Sequence, residues 1–320
     1  MNPLVLIIIS LISGWKSPDA NSPVGRYHGF VNQAEEAYFG RGDARAALVH
    51  YDSAFAAWPG LRYDHLNASF AAMKDFHYRK FDEYICRGRE AGLTRNRVRH
   101  MLHKEQPLLW KSFKQYMRNT RVGFYGFFRY RTRIILPSYR KPARKMERVF
   151  QRSRRVHTYK CVERLFGKGI DRRNVRRLEK ITNAYGFPDM LKTGDSYPCK
   201  ECGYRYSHVL DYAARFPEFQ QTLEKLGPVM LESLEKGGLY PRTLPFLIDR
   251  YLFFQGAPQL FGTVVVKKQN ADRSWGYFRH DVQSVDLANE YRTKFFLPSL
   301  ELEIKKSGIG FKAPEPKNNP

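Results

Sequence analysis

Cys199-Lys200-Glu201-Cys202-Gly203 has the form of a zinc knuckle: two thiols three positions apart, then a glycine that lets backbone amides turn toward sulfur. A closed structural zinc site takes four ligands. No second Cys-x-x-Cys exists among the chain's four cysteines, but His157 and Cys161 stand four residues apart, the spacing of one helix face. His157, Cys161, Cys199 and Cys202 therefore make a Cys₃His set, with His208 as a spare ligand. A structural zinc is the one cofactor this pattern implies. The same thiols also suit two disulfides, Cys199–Cys202 with Cys86–Cys161, or partly free cysteines. A redox role would need a thioredoxin-like βαβ setting around the Cys-x-x-Cys, and none is visible.

A second set of chemistry-bearing residues lies further on. His208, Asp249, Arg250 and Gln259 could line one polar pocket, with His208 as general base. The competing reading is a buried Asp-Arg pair that holds a helix to a hairpin, since buried charges are normally paired. No Gly-rich phosphate loop, His-Glu-x-x-His, nucleophile elbow or metal-type carboxylate cluster accompanies them. Any catalysis would have to rest on geometry that carries no motif.

Charge is the most unusual feature. The 320 residues carry 55 Lys and Arg against 31 Asp and Glu, a formal net charge of +24. Between Lys111 and Arg177 there are 22 Lys and Arg and three acids, so this stretch holds most of the excess. Rings such as Phe113, Tyr116, Phe124 and Tyr130 interleave with the charge. Basic groups with stackable rings suit a single-stranded nucleic acid or an anionic membrane surface, although arginines opposite an apolar stripe also serve as a solvated face. Arg152, Arg154, Arg155, Arg172 and Arg173 are the candidate anion-binding residues. No nucleic-acid recognition signature accompanies them.

The elements that position these residues read as helices. Hydrophobic residues make up 42% of the chain and aromatics 15%, enough for a substantial core. Leu4 to Ile12 is an uncharged run of nine residues, shorter than the roughly 20 needed to span a bilayer and within the roughly 7–15 of a secretory h-region. It reads as a signal peptide over residues 1–22, cleaved between Gly14 and Ser22, with a buried N-terminal helix or strand as the alternative. Tyr38, Gly42, Asp43, Ala47, Tyr51, Ala54 and Pro59 fall at tetratricopeptide spacings, and a looser copy follows through Ala68, Ala72, Phe81 and Tyr84. Arg41-Gly42-Asp43 spells an adhesion tripeptide but falls at the turn of the repeat. Val264-Val265-Val266 and Trp275-Gly276-Tyr277-Phe278 bracket Gln269 to Asp272 as a short hairpin. Tyr291 to Leu302 reads as one last helix.

The C-terminal half resembles an uncharacterised bacterial domain family found behind tetratricopeptide-like repeats in exported proteins. The likeness rests on Tyr185-Gly186-Phe187-Pro188, His208, Asp249-Arg250, Gly256-x-x-Gln259-x-Phe261-Gly262-Thr263, Tyr291-Arg292 and Leu297-Pro298-Ser299-Leu300. It covers residues 150–303. The family's usual Asp-Gln-x-x-Arg cluster is replaced by Val156-His157-Thr158-Tyr159-Lys160, its Gln before the histidine by Ser207, and its Gln after Gly-Thr by Val264. The resemblance carries no activity to transfer.

These readings give a mostly α protein: a signal peptide at 1–22, tetratricopeptide-like helical hairpins at 28–95 and a basic helical connector at 96–150. A helical C-terminal domain with one small β-hairpin follows at 151–306, then a disordered tail at 307–320. The function expected is that of an exported interaction module, periplasmic or on the cell surface. It would engage a protein or peptide, or an anionic lipid or polysaccharide, through its repeats and basic face. Nucleic acid is disfavoured for an exported chain. The alternative is an enzyme built around His208, Asp249, Arg250 and Gln259.

Overall fold

The computed structural model describes residues 1–91, 93, 98, 111, 114–115, 140–158, 160–188, 205–269 and 275–311. Most of the expected connector, the Cys199/Cys202 knuckle and residues 312–320 lie outside the described residues. Among those described there are twelve α-helices and one two-stranded antiparallel sheet, so the fold is mostly α with a single small hairpin. The chain divides into two compact units.

The chain opens with α1 (Pro3–Ser13), which belongs to the C-terminal unit; in the N-terminal unit four helices follow one another, α2 (Pro23–Glu35), α3 (Ala44–Ala57), α4 (Arg62–Lys74) and α5 (Tyr78–Glu90). Each packs on the next in sequence. Local chemistry sets the ends. Ser22 Oγ accepts from Gly25 N (2.9 Å) with Pro23 in the first turn of α2, and Asp43 Oδ1 accepts from Ala46 N (2.9 Å) at the start of α3. Between them α2 runs into a π-helical turn, Glu36–Gly40. Gly42 then takes φ +74°, a left-handed conformation that a side chain would disfavour. The Arg41-Gly42-Asp43 tripeptide is thus an interhelical turn. Small buried residues (Ala34, Ala47, Ala54, Ala68, Ala71, Ala72) let the helices approach, and Tyr27, Tyr51, Phe70, Phe81 and Tyr84 fill the space between.

The C-terminal unit contains α1 and everything described from Arg140 onward: α6 (Arg140–Thr158), α7 (Lys160–Tyr185), α8 (Arg205–Ala213), α9 (Phe219–Glu235), α10 (Thr243–Phe254), β1 (Val265–Gln269), β2 (Trp275–Arg279), α11 (Val285–Lys294) and α12 (Leu300–Ser307). The strands pair from Val265↔Arg279 to Gln269↔Trp275, where the residue pattern predicts the hairpin. In α1, Val5, Ile8 and Ile12 are buried at spacings of three and four, while Leu6 and Ile7 are about half exposed. The helix packs on α10, Asn2 N donates to Gln283 Oε1 (3.2 Å), and Trp15 lies against Gly227, where a Cβ would come within 2.3 Å of the indole. No helix among the described residues is long and apolar enough to cross a membrane.

Helix α6 starts at Arg140 and belongs to the C-terminal unit, which takes up again at Pro137, one of the two prolines (Pro137 and Pro142) that interrupt the helical pattern in the sequence. Two expectations need correction. Residues 307–311 are not a disordered tail: Gly308 closes α12 in a left-handed conformation, and Arg279 N donates to Gly310 O (2.9 Å), with Phe311 bridged to Arg279. The last helix is two helices. Pro298 supplies no N–H, Phe296 takes φ +59°, and Ser299 Oγ caps a fresh start by accepting from Leu302 N (3.2 Å).

Candidate anion site

Helices α6 and α7 form an amphipathic pair. On α6, Met146, Val149, Ser153 and Val156 are buried, and on α7 Asp171, Asn174, Val175, Leu178, Ile181 and Thr182 are. His157 meets Asp171 and Arg152 shares a cavity with Arg177, the pairing of antiparallel helices. Polar residues interrupt both stripes. His157 Nε2 lies 3.0 Å from Asp171 Oδ1, with the two side chains 3% and 1% exposed. The imidazole stacks flat on Tyr212 of α8, with centroids 3.4 Å apart and planes 2° apart. A carboxylate on one ring nitrogen fixes the orientation of the ring.

Above this layer lies a cavity of about 320 Å³ lined by Arg152, Arg155, Val156, Ile170, Arg173, Asn174 and Arg177. The four arginines are exposed. None forms an ion pair with an acid among the described residues, and Arg173 donates Nε to the Gly169 carbonyl (3.1 Å). Asn174 is fully buried, and neither its Nδ2 nor its Oδ1 has a hydrogen-bond partner among the described residues. Of the five arginines singled out from sequence, the structure brings Arg152, Arg155 and Arg173 together here. Arg172 leaves the set, since it pairs with Glu218, and Arg154 is exposed outside the cavity lining. Arg177 and Asn174 are additions. Their signal in the sequence is the stride Ile170, Arg173, Asn174, Arg177, one face of a helix.

The other candidates are engaged elsewhere. Asp249, fully buried on α10, accepts from Leu260 N (2.9 Å), Phe261 N (2.9 Å), Thr263 N (2.7 Å) and Thr263 Oγ1 (2.7 Å). Burial pushes its carboxyl above the ordinary aspartate value, and those bonds pull the other way. Gln259, also fully buried, donates to the carbonyls of Val264 (3.2 Å) and His280 (2.5 Å) and accepts from Val264 N (2.6 Å). Arg250 does not pair with Asp249; it binds Asp211 (2.5 Å) and lies over the Phe254 ring. The expected Asp-Arg pair is therefore two separate interactions. His208 is on α8, with its side chain outside the described residues.

Cations clamp the same loop from its carbonyl side. Arg292 donates to Phe261 O (2.8 Å), Arg279 to Gly262 O and Arg242 to Thr263 O (3.0 Å). Glu303 pairs with Arg242 and lies 3.8 Å from Arg292. Burial works to raise the Glu303 carboxyl, but Arg242, Lys306, Arg292 and Arg279 outweigh it and hold it at about 2. Burial lowers Arg292 to about 10 against the pull of Glu303. Of these four residues only Arg292 was marked in the sequence, in the Tyr291-Arg292 pair.

Of the proposed zinc ligands, His157 is bonded to Asp171, Cys161 is on α7 with its side chain outside the described residues, and Cys199 and Cys202 also lie outside them. Among the described residues no group of three or more His, Cys, Asp or Glu could hold a metal ion. Cys86, on α5, is exposed as a free thiol. No protein-family model matches the chain, and no curated protein or solved structure matches it either.

Proposed function

We propose that the protein is an interaction module whose C-terminal unit binds anionic partners through the α6–α7 arginine face. The observation that carries this is the convergence of Arg152, Arg155, Arg173 and Arg177 on one cavity, none of them ion-paired with an acid among the described residues. Like charges gathered this way repel one another and raise the local concentration of anions. Guanidinium groups then reward anionic oxygens with charge-assisted, often bidentate, hydrogen bonds. The consecutive helix pairs of the N-terminal unit support a protein or peptide partner within the same reading.

The test is co-sedimentation with vesicles of phosphatidylcholine and phosphatidylglycerol, and retention on an anionic polysaccharide, for the native chain and for Arg152→Glu/Arg155→Glu. The native chain should bind at least one of the two at low salt and release it as salt rises. The variant, folded by circular dichroism, should lose about tenfold or more in affinity, as expected when charge-assisted contacts become repulsions. Unchanged binding would overturn the reading.

Export is the second part of the proposal, supported by the uncharged run Leu4 to Ile12. The burial of Val5, Ile8 and Ile12 against the C-terminal unit favours the other reading, in which this segment is a core helix. N-terminal sequencing of the protein from its native cells separates the two. A start between Gly14 and Ser22 supports export, and a retained α1 overturns it and returns nucleic acid to the partners.

A further inference from the structure

Building on the anion-binding reading, we infer that the cavity between α6 and α7 is a discrete site for a small phosphate-bearing group, with Asn174 as its buried polar anchor. A solvated basic face needs nothing from beneath. Here a fully buried amide lines the cavity with neither its donor nor its acceptor paired among the described residues; Ser153 Oγ and Thr182 Oγ1 of the same helix pair are also unpaired, but of the three only Asn174 lines the cavity. Buried polar groups are paired in the great majority of cases, because an orphaned one forfeits its bonds to water. Packing alone would favour an apolar residue at this position, among Val175, Leu178 and Ile181. The amide is therefore accounted for by a ligand that completes it.

Four guanidinium groups fix the charge class. Each offers five N–H donors and no acceptor. A carboxylate brings one charge and two oxygens, too few to engage all four. A phosphoryl group brings roughly −1.5 to −2 charges and three strong acceptor oxygens, a closer match. Arg173 is already braced through Nε on the Gly169 carbonyl, which leaves its terminal nitrogens for the ligand. The amide is closed off in this structure, so a rotation of the Asn174 side chain toward the cavity accompanies binding: Nδ2 then donates to a phosphoryl oxygen, and Oδ1 accepts from a hydroxyl of the organic part. Val156 and Ile170 supply apolar wall for a short carbon skeleton. The volume, about 320 Å³, falls at the lower end of the roughly 300–1,000 Å³ of small-molecule pockets, which suits a small phosphomonoester or a single lipid headgroup.

Calorimetric titration of the full chain with glycerol 3-phosphate tests this, with phosphatidylcholine vesicles containing phosphatidic acid as a second arm. Saturable one-to-one binding is expected. Asn174→Leu keeps every charge and should weaken it about tenfold or more, without lowering the thermal midpoint of the unliganded chain. Asn174→Ala serves if the leucine does not fit. Competition between glycerol 3-phosphate and the vesicles would identify the source as a lipid headgroup. Binding of glycerol 3-phosphate without vesicle binding would identify a soluble phosphate. If both Asn174 variants bind as tightly as the native chain while Arg152→Glu/Arg155→Glu does not bind, the discrete site is overturned and the basic surface stands. If the charge reversal also leaves binding unchanged, the broader reading has failed as well.

Discussion

Asp249 illustrates, at the scale of one residue, what a buried carboxylate can do without touching a ligand. Its two oxygens take four hydrogen bonds from three residues of one loop, Leu260, Phe261 and Thr263, replacing the water it gave up. Asp249→Asn preserves shape but points an NH₂ group at N–H and O–H donors. It should cost about 2–5 kcal/mol, the range for removing one partner of a buried charged network. Urea denaturation reads this as a lower midpoint at unchanged slope. A change within roughly 0.5 kcal/mol would mean that the bonds do not hold the loop, since that is the scatter of neutral substitutions. The sequence marked Asp249, Gln259 and Thr263 as special but could not say for what. The partners of Asp249 are mostly backbone amides, which look alike at every position. Arg242, Arg279, Arg292 and Glu303 are separated by up to 61 residues and meet only through the fold. Asn174 was not singled out either; its burial emerges only in the fold.

At the scale of elements, punctuation decided what could be read. Gly42-Asp43 and Pro59 place the turns of the N-terminal helices because each acts on its own backbone. The hairpin was legible for the same kind of reason, in β-branched and aromatic residues on both arms. Docking has no such local signal. An uncharged nine-residue run is compatible with a leader and with a core helix, and only partners distant in sequence choose between them. In the structure those partners are α10, Gln283 and Gly227. Helix α1 therefore makes a sharp prediction. Ile8 is 0% exposed, so Ile8→Ala should cost about 2–5 kcal/mol, the range for truncating a buried aliphatic side chain. Leu6→Ala, at a position 49% exposed, should cost less than roughly 0.5 kcal/mol. Thermal unfolding of the full chain measures both. Equal, small effects would show that α1 contributes nothing to the core in solution.

For the whole molecule, the two units carry different buried titratable groups and so should respond to acid in different windows. In the N-terminal unit burial lowers His28 to about 3, and lowers His65 to about 4 despite its bond to the Pro59 carbonyl, with Arg87 adding to the fall. Both are neutral in the folded unit, whereas an unfolded histidine takes its proton near 6.5. The unfolded chain thus binds more protons as pH falls below about 6.5, and stability drains from this unit until the folded histidines titrate at about 3–4. At pH 5 each histidine should cost about 2 kcal/mol, being 1.5 pH units at 1.36 kcal/mol each. In the C-terminal unit Glu303 has the depressed pKa. Its contribution of roughly 3 kcal/mol is intact above about 4.5 and is lost as pH falls toward about 2. Hydrogen exchange followed by mass spectrometry at pH 7 and pH 5, corrected for intrinsic rates, can read the units separately. Between those two values α2 to α5 should lose protection while α9 to α12 keep theirs. His28→Phe/His65→Phe should flatten the response of the first set, and Glu303→Gln should remove the acid sensitivity of the second below pH 4.5. Parallel loss in both units at pH 5 would mean that neither buried histidine governs the first acid transition.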